Sequence, residues 1–265
     1  PGERRAVRPL RQVHPGVPPL GPLAPGMIRE HFEFRQTIAT ILADEPRHVA
    51  AAKAGMLAAR HEVERQIALD PYFAATFEPY APKDPERTVA RMVRAAGEAG
   101  VGPMAAVAGA IARAGVEAMV EAGASFGLID NGGDIALVSD RDLTIGVYAG
   151  ASSLSGRIAF RLSPKSDILG ICTSSATVGP SISFGVADAV TVFAPDPAVA
   201  DAWATAICNR ITADDTSVLD ALPGTGVRGV LAIIDDAVVR HGDLPRIVRA
   251  KVDERLITAG RPDPR

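Results

Sequence analysis

The chain has 265 residues, 47% hydrophobic and 22% charged, with 28 Lys+Arg against 31 Asp+Glu and a formal net charge of −3. This balance excludes disorder over most of the length, and it excludes a strongly basic nucleic-acid binder, since no Lys/Arg stripe with interleaved aromatics appears. Two cysteines, Cys172 and Cys208, are too few for a disulfide framework or a zinc motif and read as small, buried, reduced side chains of a cytoplasmic protein.

The segment from Pro1 to Gly26 holds seven of the 21 prolines, so it can neither pair in a sheet nor run as a helix. It reads as a disordered leader, or as sequence upstream of a start at Met27, and residues 259–265 read as a loose tail. Between them, residues 27–258 read as one domain. Ile28 to Leu42 predicts a strand or hairpin, with Phe32 and Phe34 on one face at period two. Pro46 sits where a helix favours proline, and Arg47 to Leu69 predicts a long Ala-rich helix on which His48 and His61 are surface or satisfied core groups. Tyr72 to Pro85 reads as a connection and Glu86 to Ala99 as a shorter helix.

Pro103 opens the next helix. Met104, Val107, Ala108, Ile111, Ala118 and Met119 recur at three- and four-residue steps, so one face is buried. No stretch reaches the roughly 20 uninterrupted apolar residues of a membrane helix; this richest one is broken by Gly109, Arg113 and Gly115. Faces such as Ala105 to Gly115 suit packing inside the chain or against a second copy. Phe126 to Ile129 and Ile135 to Val138 predict strands flanking Asn131-Gly132-Gly133-Asp134. Further strands are predicted at Thr144 to Tyr148, Arg157 to Leu162, Ile168 to Thr173, Ala187 to Phe193 and Val227 to Ile234, with Ala237 to Arg240 after an Asp235-Asp236 turn. A helix runs from Asp196-Pro197 to about Ile211. The class is α+β, with antiparallel or mixed sheets packed by helices.

Three segments carry possible chemistry. Paired glycines in Asn131-Gly132-Gly133-Asp134 permit positive φ and expose backbone N–H groups to a ligand beside a carboxylate; the other reading is a tight hairpin turn. Thr173 to Ser183 is rich in hydroxyls, which hold phosphate in some loops and are merely polar in others. Asp201 and Thr205 are four apart on one helical face, a partial oxygen shell for Mg²⁺ or a solvated Asp beside a packed Thr. Trp203 lies on another face and reads as packing. The five histidines, at 14, 31, 48, 61 and 241, all fall outside these segments.

Pro103 to Ala112, Asn131-Gly132-Gly133-Asp134-Ile135, Gly170 to Ser175 and Ser183 to Val190, in that order, resemble the UPF0280 family, a branch of the ApbE-like superfamily whose best-known members are FAD:protein FMN transferases. The likeness spans roughly Met27 to Asp243 and implies a single ApbE-like, T-fold-like domain. The transferases' helix motif A-D-x-x-x-T-A is similar to Ala200-Asp201-Ala202-Trp203-Ala204-Thr205-Ala206. The resemblance therefore implies Mg²⁺ at Asp201 and Thr205, and FAD or FMN contacted by Asn131, Gly132, Gly133, Asp134, Thr173, Ser174 and Ser175. It also implies a protein acceptor for a transferred FMN or nucleotidyl moiety. One departure stands out. The transferases carry an H-x-x-x-P-x-T-G-type segment where this chain reads Val178-Gly179-Pro180-Ser181-Ile182-Ser183-Phe184-Gly185, without histidine. The alternative is thus a non-catalytic flavin or nucleotide carrier in coenzyme (one-carbon) metabolism.

Overall fold

A computed structural model describes residues 26–176, 185–252 and 258; residues 1–25, 177–184, 253–257 and 259–265 lie outside these. β1 (Ile28–Phe34) and β2 (Thr37–Ala43) form the opening hairpin, and a helical stretch follows: α1 (Pro46–Leu69), α2 (Tyr72–Ala75), α3 (Arg87–Ala99) and α4 (Val107–Glu121). The chain then returns to the sheet with β3 (Gly127–Asn131) and β4 (Asp134–Ser139). β5 (Leu143–Gly146) and β6 (Ile158–Leu162) leave it, and β7 (Lys165–Ser174) and β8 (Ala189–Ala194) rejoin it. α5 (Pro197–Cys208), β9 (Gly229–Ile234), β10 (Ala237–Gly242) and β11 (Arg246–Arg249) complete the order.

One eight-stranded sheet has the order β1-β2-β3-β4-β7-β8-β9-β10, and a three-stranded sheet has the order β11-β6-β5. Every pairing is antiparallel, so of the two sheet types expected the mixed one is not realised among the described residues. Side chains alternate across a strand, so each face of the large sheet carries its own core. On one face Ala39, Ile41, Ile129, Ala136 and Val138 bury against α1 and α4, and Val190, Val192 and Ala194 bury against α5. On the other, Leu128, Leu137, Phe193 and Leu231 meet Phe160 and Ile247 of the small sheet. Phe160 and Phe193 pack edge to face with centroids 4.8 Å apart. The result is three layers: helices, large sheet, small sheet.

The helices form where the sequence dictates. α3 buries Val89, Met92, Ala95, Ala96 and Ala99 at three- and four-residue steps and stops at Gly100, whose φ of 72° is left-handed. α5 starts at Pro197 with Asp196 capping it, the Ala198 N–H donating to Asp196 Oδ1 at 3.1 Å. α5 ends at Cys208 rather than near Ile211, and the Pro103 helix begins as a 3-10 turn, Pro103–Ala106. That turn and α4 together, Pro103–Glu121, are long and apolar enough to cross a membrane by length and composition alone, although Arg113 and Glu117 interrupt the apolar run and half of the stretch is buried in this fold. β11 goes unpredicted, and α2 forms inside the expected connection.

His48 also departs from expectation. It is buried, and neither ring nitrogen has a hydrogen-bond partner. His61 is exposed, Trp203 packs in the core, and Cys172 and Cys208 are buried and not joined in a disulfide, as read.

Candidate functional site

The glycine turn is a two-residue hairpin loop. Asn131 pairs with Asp134 across it, and both glycines have positive φ, 71° and 103°, the signature of a type I′ turn. The turn's groups are already engaged. The Gly133 N–H donates to Asp130 Oδ1 at 2.8 Å, and the Gly133 carbonyl accepts from the Thr173 N–H at 3.2 Å. Gly132 is exposed. Asn131 is buried, and its Nδ2 donates to the Ala108 carbonyl at 3.1 Å, tying the sheet to the start of α4.

Period two then sorts the remaining residues. Asp134 lies on the helix-facing side with Ala136 and Val138, opposite Cys172 in register. The predicted strand ends at Thr173, with Ser174 in the loop, but the hydrogen-bond ladder with β8 continues through both, so both belong to β7. As neighbours on a strand they point to opposite faces. Thr173 meets Thr191, hydroxyl to hydroxyl at 2.9 Å, while Ser174 shares the face of Cys172 and Asp134. Ser175 follows directly beyond the strand.

α5 closes over this face because two glycines let it approach. A Cβ on Gly170 would lie 2.5 Å from Pro197 Cα; one on Gly109 would lie 2.3 Å from the Pro197 carbonyl oxygen and 2.9 Å from Asp201 Cβ. That contact delivers Asp201, which is buried, to the first turn of α4. The Gly109 N–H donates to Asp201 Oδ2 at 2.8 Å and the Ala108 N–H also bonds the carboxylate. Asp201 thus caps α4 from a neighbouring helix, satisfying amides that no local side chain reaches. Within α5 every residue is buried except Thr205, one turn on from Asp201, so the helix opens outward only there.

Asp134 and Asp201 face each other across this junction, with the Cys172 thiol beside them. Burial pushes Asp201 up to about 7, opposed by the two amides. Burial, then the charge of Asp201, then that of Asp130 hold Asp134 well above the usual carboxylate range, an effect partly offset by the nearby Cys172 thiol, which donates to the Pro197 carbonyl at 3.3 Å, and by the Thr173 N–H. The Cys172 thiol, buried and facing two acids, is raised as well. Among the described residues, no cationic side chain acts on either carboxylate. Two like charges in a desolvated site favour either a shared proton or a bound cation. Asp134 as the partner of Asp201, and Cys172 between them, were not foreseen; only the pairing of β4 with β7 brings them together.

The donor set is hard: two carboxylates and one hydroxyl, suited to Mg²⁺ rather than zinc. Among the described residues no group of three or more His, Cys, Asp or Glu is arranged to hold a metal, so an ion here needs oxygens from a ligand or water besides the protein's own. Two open clefts lie elsewhere. One of about 310 Å³ is lined by Ala151, Ser152, Ser153, Asp188, Asp235 and Asp236, and one of about 440 Å³ lies among Arg94, Asp196 and Gly224.

This architecture is that of an ApbE-like protein. It superposes on the apo flavinyl transferase ApbE of Pseudomonas stutzeri with a TM-score of 0.53, covering 88% of this chain and 98% of that one at 12% identity. A mutant of the flavin transferase ApbE from Vibrio cholerae matches with a TM-score of 0.55, over 81% of this chain and 96% of that one, also at 12% identity. Residues 23–227 match the family described as AbpE bacteria. Within this class the chain belongs to the UPF0280 family: it is 79% identical to the UPF0280 protein of Methanoculleus marisnigri over 88% of this chain and 96% of that one. It is 59% identical to that of Methanosphaerula palustris, over 88% and 99%.

Proposed function

We propose that this protein binds a flavin nucleotide, FAD or FMN, together with Mg²⁺ at the Asp134–Asp201 junction, and that from FAD it transfers an FMN or nucleotidyl moiety to a hydroxyl of a protein acceptor in the cytoplasm: the pyrophosphate bond breaks, the other mononucleotide (AMP or FMN) leaves, and the hydroxyl proton is released. The observation that carries the reading is the carboxylate pair, Asp201 buried and Asp134 half-buried, with no cationic side chain acting on it among the described residues, set beside the outward-facing Thr205 on an ApbE-like fold. Asp201 and Thr205 would hold the ion, with Asp134 beside them. A bound Mg²⁺ supplies positive charge to pyrophosphate oxygens and to charge developing during transfer. The Ala108 and Gly109 amides orient Asp201, Asn131 anchors that turn of α4 to the sheet, and Gly132, Gly133, Ser174 and Ser175 edge the face a nucleotide would meet. Thr173 contributes through its backbone amide.

A second reading, a flavin carrier without catalysis, is favoured by one observation. The four histidines that the structure describes sit on β1, α1 and β10, away from β4, β7 and α5, so no imidazole among the described residues serves as acid or base beside the carboxylates. One experiment separates the readings: calorimetry of FAD binding with and without Mg²⁺, paired with mass spectrometry of a candidate acceptor after incubation. Mg²⁺-dependent binding with FMN labelling supports transfer. Binding without labelling across acceptors supports the carrier. Absence of flavin binding under both conditions overturns both.

A further inference from the structure

We infer that Asp130 is a positioning residue: from the face of the sheet away from the carboxylate pair, it locks the Gly132–Gly133 turn and thereby aims Asp134 at Asp201. The inference rests on the reading of that pair as a cation site. A turn made of two glycines is the least self-determined loop a hairpin can have, because neither residue restricts its own φ and both lose the most freedom on ordering. Something outside the turn must hold it. Gly133 is held on both sides, its N–H by Asp130 at 2.8 Å and its carbonyl by the Thr173 N–H at 3.2 Å, and the next residue is Asp134.

Asp130 is in turn braced. It lies in register with Thr40 of β2, on the face that also carries Leu128 and Leu42. Thr258 reaches the same spot: its hydroxyl donates to the Thr40 hydroxyl at 2.9 Å, both side chains are buried, and the Thr258 side chain also acts on the Asp130 carboxyl, lowering it against its burial. A residue far along the chain, beyond the last strand, therefore completes the shell of the carboxylate that holds the turn. Residues that orient a ligand without touching the metal typically change its affinity by roughly 10- to 100-fold when removed.

The test uses the full chain and Mn²⁺ as the probe, with two readouts: Mn²⁺ affinity by calorimetry, and hydrogen exchange of the Gly133 amide without metal. Asp130→Ala is expected to expose the Gly133 amide and weaken Mn²⁺ binding by roughly 10- to 100-fold. Asp130→Asn keeps an oxygen for the Gly133 amide and removes only the charge, so it should retain amide protection and most of the affinity. Thr258→Val should give a partial loss of both. Asp130→Ala with a lower melting temperature but unchanged Mn²⁺ affinity and amide protection overturns the inference and leaves the cation site standing. A wild-type chain that binds no Mn²⁺ overturns the cation site and the inference with it. If Asp130→Ala fails to fold, Asp130→Asn and Thr258→Val decide: weaker Mn²⁺ binding in Asp130→Asn with the Gly133 amide still protected, and no weakening in Thr258→Val, would mean the charge, not the hold on the turn, matters, and would overturn it.

Discussion

Replacing Asp201 with asparagine should change stability with opposite sign at acid and alkaline pH when no metal is present. In the folded chain Asp201 is pushed up to about 7 from an ordinary 3.8. A raised folded value means that, between those two points, the folded state keeps a proton that the unfolded chain has released. The proton's contribution is therefore fully present below about pH 4 and is lost as pH rises through about 7. Three pH units at about 1.4 kcal/mol each set a ceiling of about 4 kcal/mol. Asp201 shares its protons with Asp134, and interiors screen better than dry protein, so roughly 2 kcal/mol is the working figure. Asparagine cannot ionise and escapes this loss, but it offers a single acceptor oxygen to the backbone amides of Ala108 and Gly109, which costs about 1 kcal/mol. The variant should thus be less stable than wild type by about 1 kcal/mol at pH 3 and more stable by about 1 kcal/mol at pH 8. Urea unfolding in EDTA at the two pH values measures both differences. Equal destabilisation at both, or a larger one at pH 8, would show that the folded carboxylate is ionised and satisfied by its amides, and would refute the argument.

Three other substitutions probe neighbouring parts of the reasoning. Gly109→Ala places a Cβ 2.3 Å from the Pro197 carbonyl oxygen; overpacking of about 1–3 kcal/mol outweighs the helix-propensity gain of up to about 1, and thermal melting should show a net loss. An unchanged melting temperature would mean that α4 and α5 are not in the close contact described. His48→Leu removes two buried, unpartnered ring nitrogens and should stabilise by about 1 kcal/mol in denaturant titration, so a marked loss would point to a partner for the imidazole. Phe160→Ala empties the contact between the two sheets and should cost about 3–5 kcal/mol; a cost below about 1 would mean that the small sheet is not packed on the large one.

Local pattern carried most of the elements, because helices and strands write their periods into short windows. Pro46, Gly100 and Asp196-Pro197 marked helix ends through backbone chemistry that holds in any fold, and the resemblance placed Asp201 and Thr205 on one helix face. What local pattern could not carry is pairing across distance. Ser174 read as loop because hydroxyl residues cluster in loops, yet β8 extends β7 one residue past Thr173 through it and sends the two to opposite sides. The stretch Arg246 to Arg249 is short and charged at both ends, and it becomes a strand only because β6 offers an edge. Asp134 was legible as a site residue. Its partner was not, since nothing near position 134 announces position 201.

The order of the large sheet has a kinetic consequence. β2 and β3 are hydrogen-bonded neighbours, yet residues 44–126, nearly all of the helical layer, lie between them in the chain. β4 and β7 are likewise neighbours separated by the excursion through β5 and β6. Each of these seams closes a long loop before any pairing rewards it, and such non-local closures slow folding. Both seams flank β3 and β4, the strands joined by the glycine turn, and the carboxylate pair needs the second seam together with α4 and α5. We therefore expect the pair to assemble late, after the opening hairpin and the individual helices. A bound divalent ion would then report completion of the whole fold, and its release would be an early sign of unfolding.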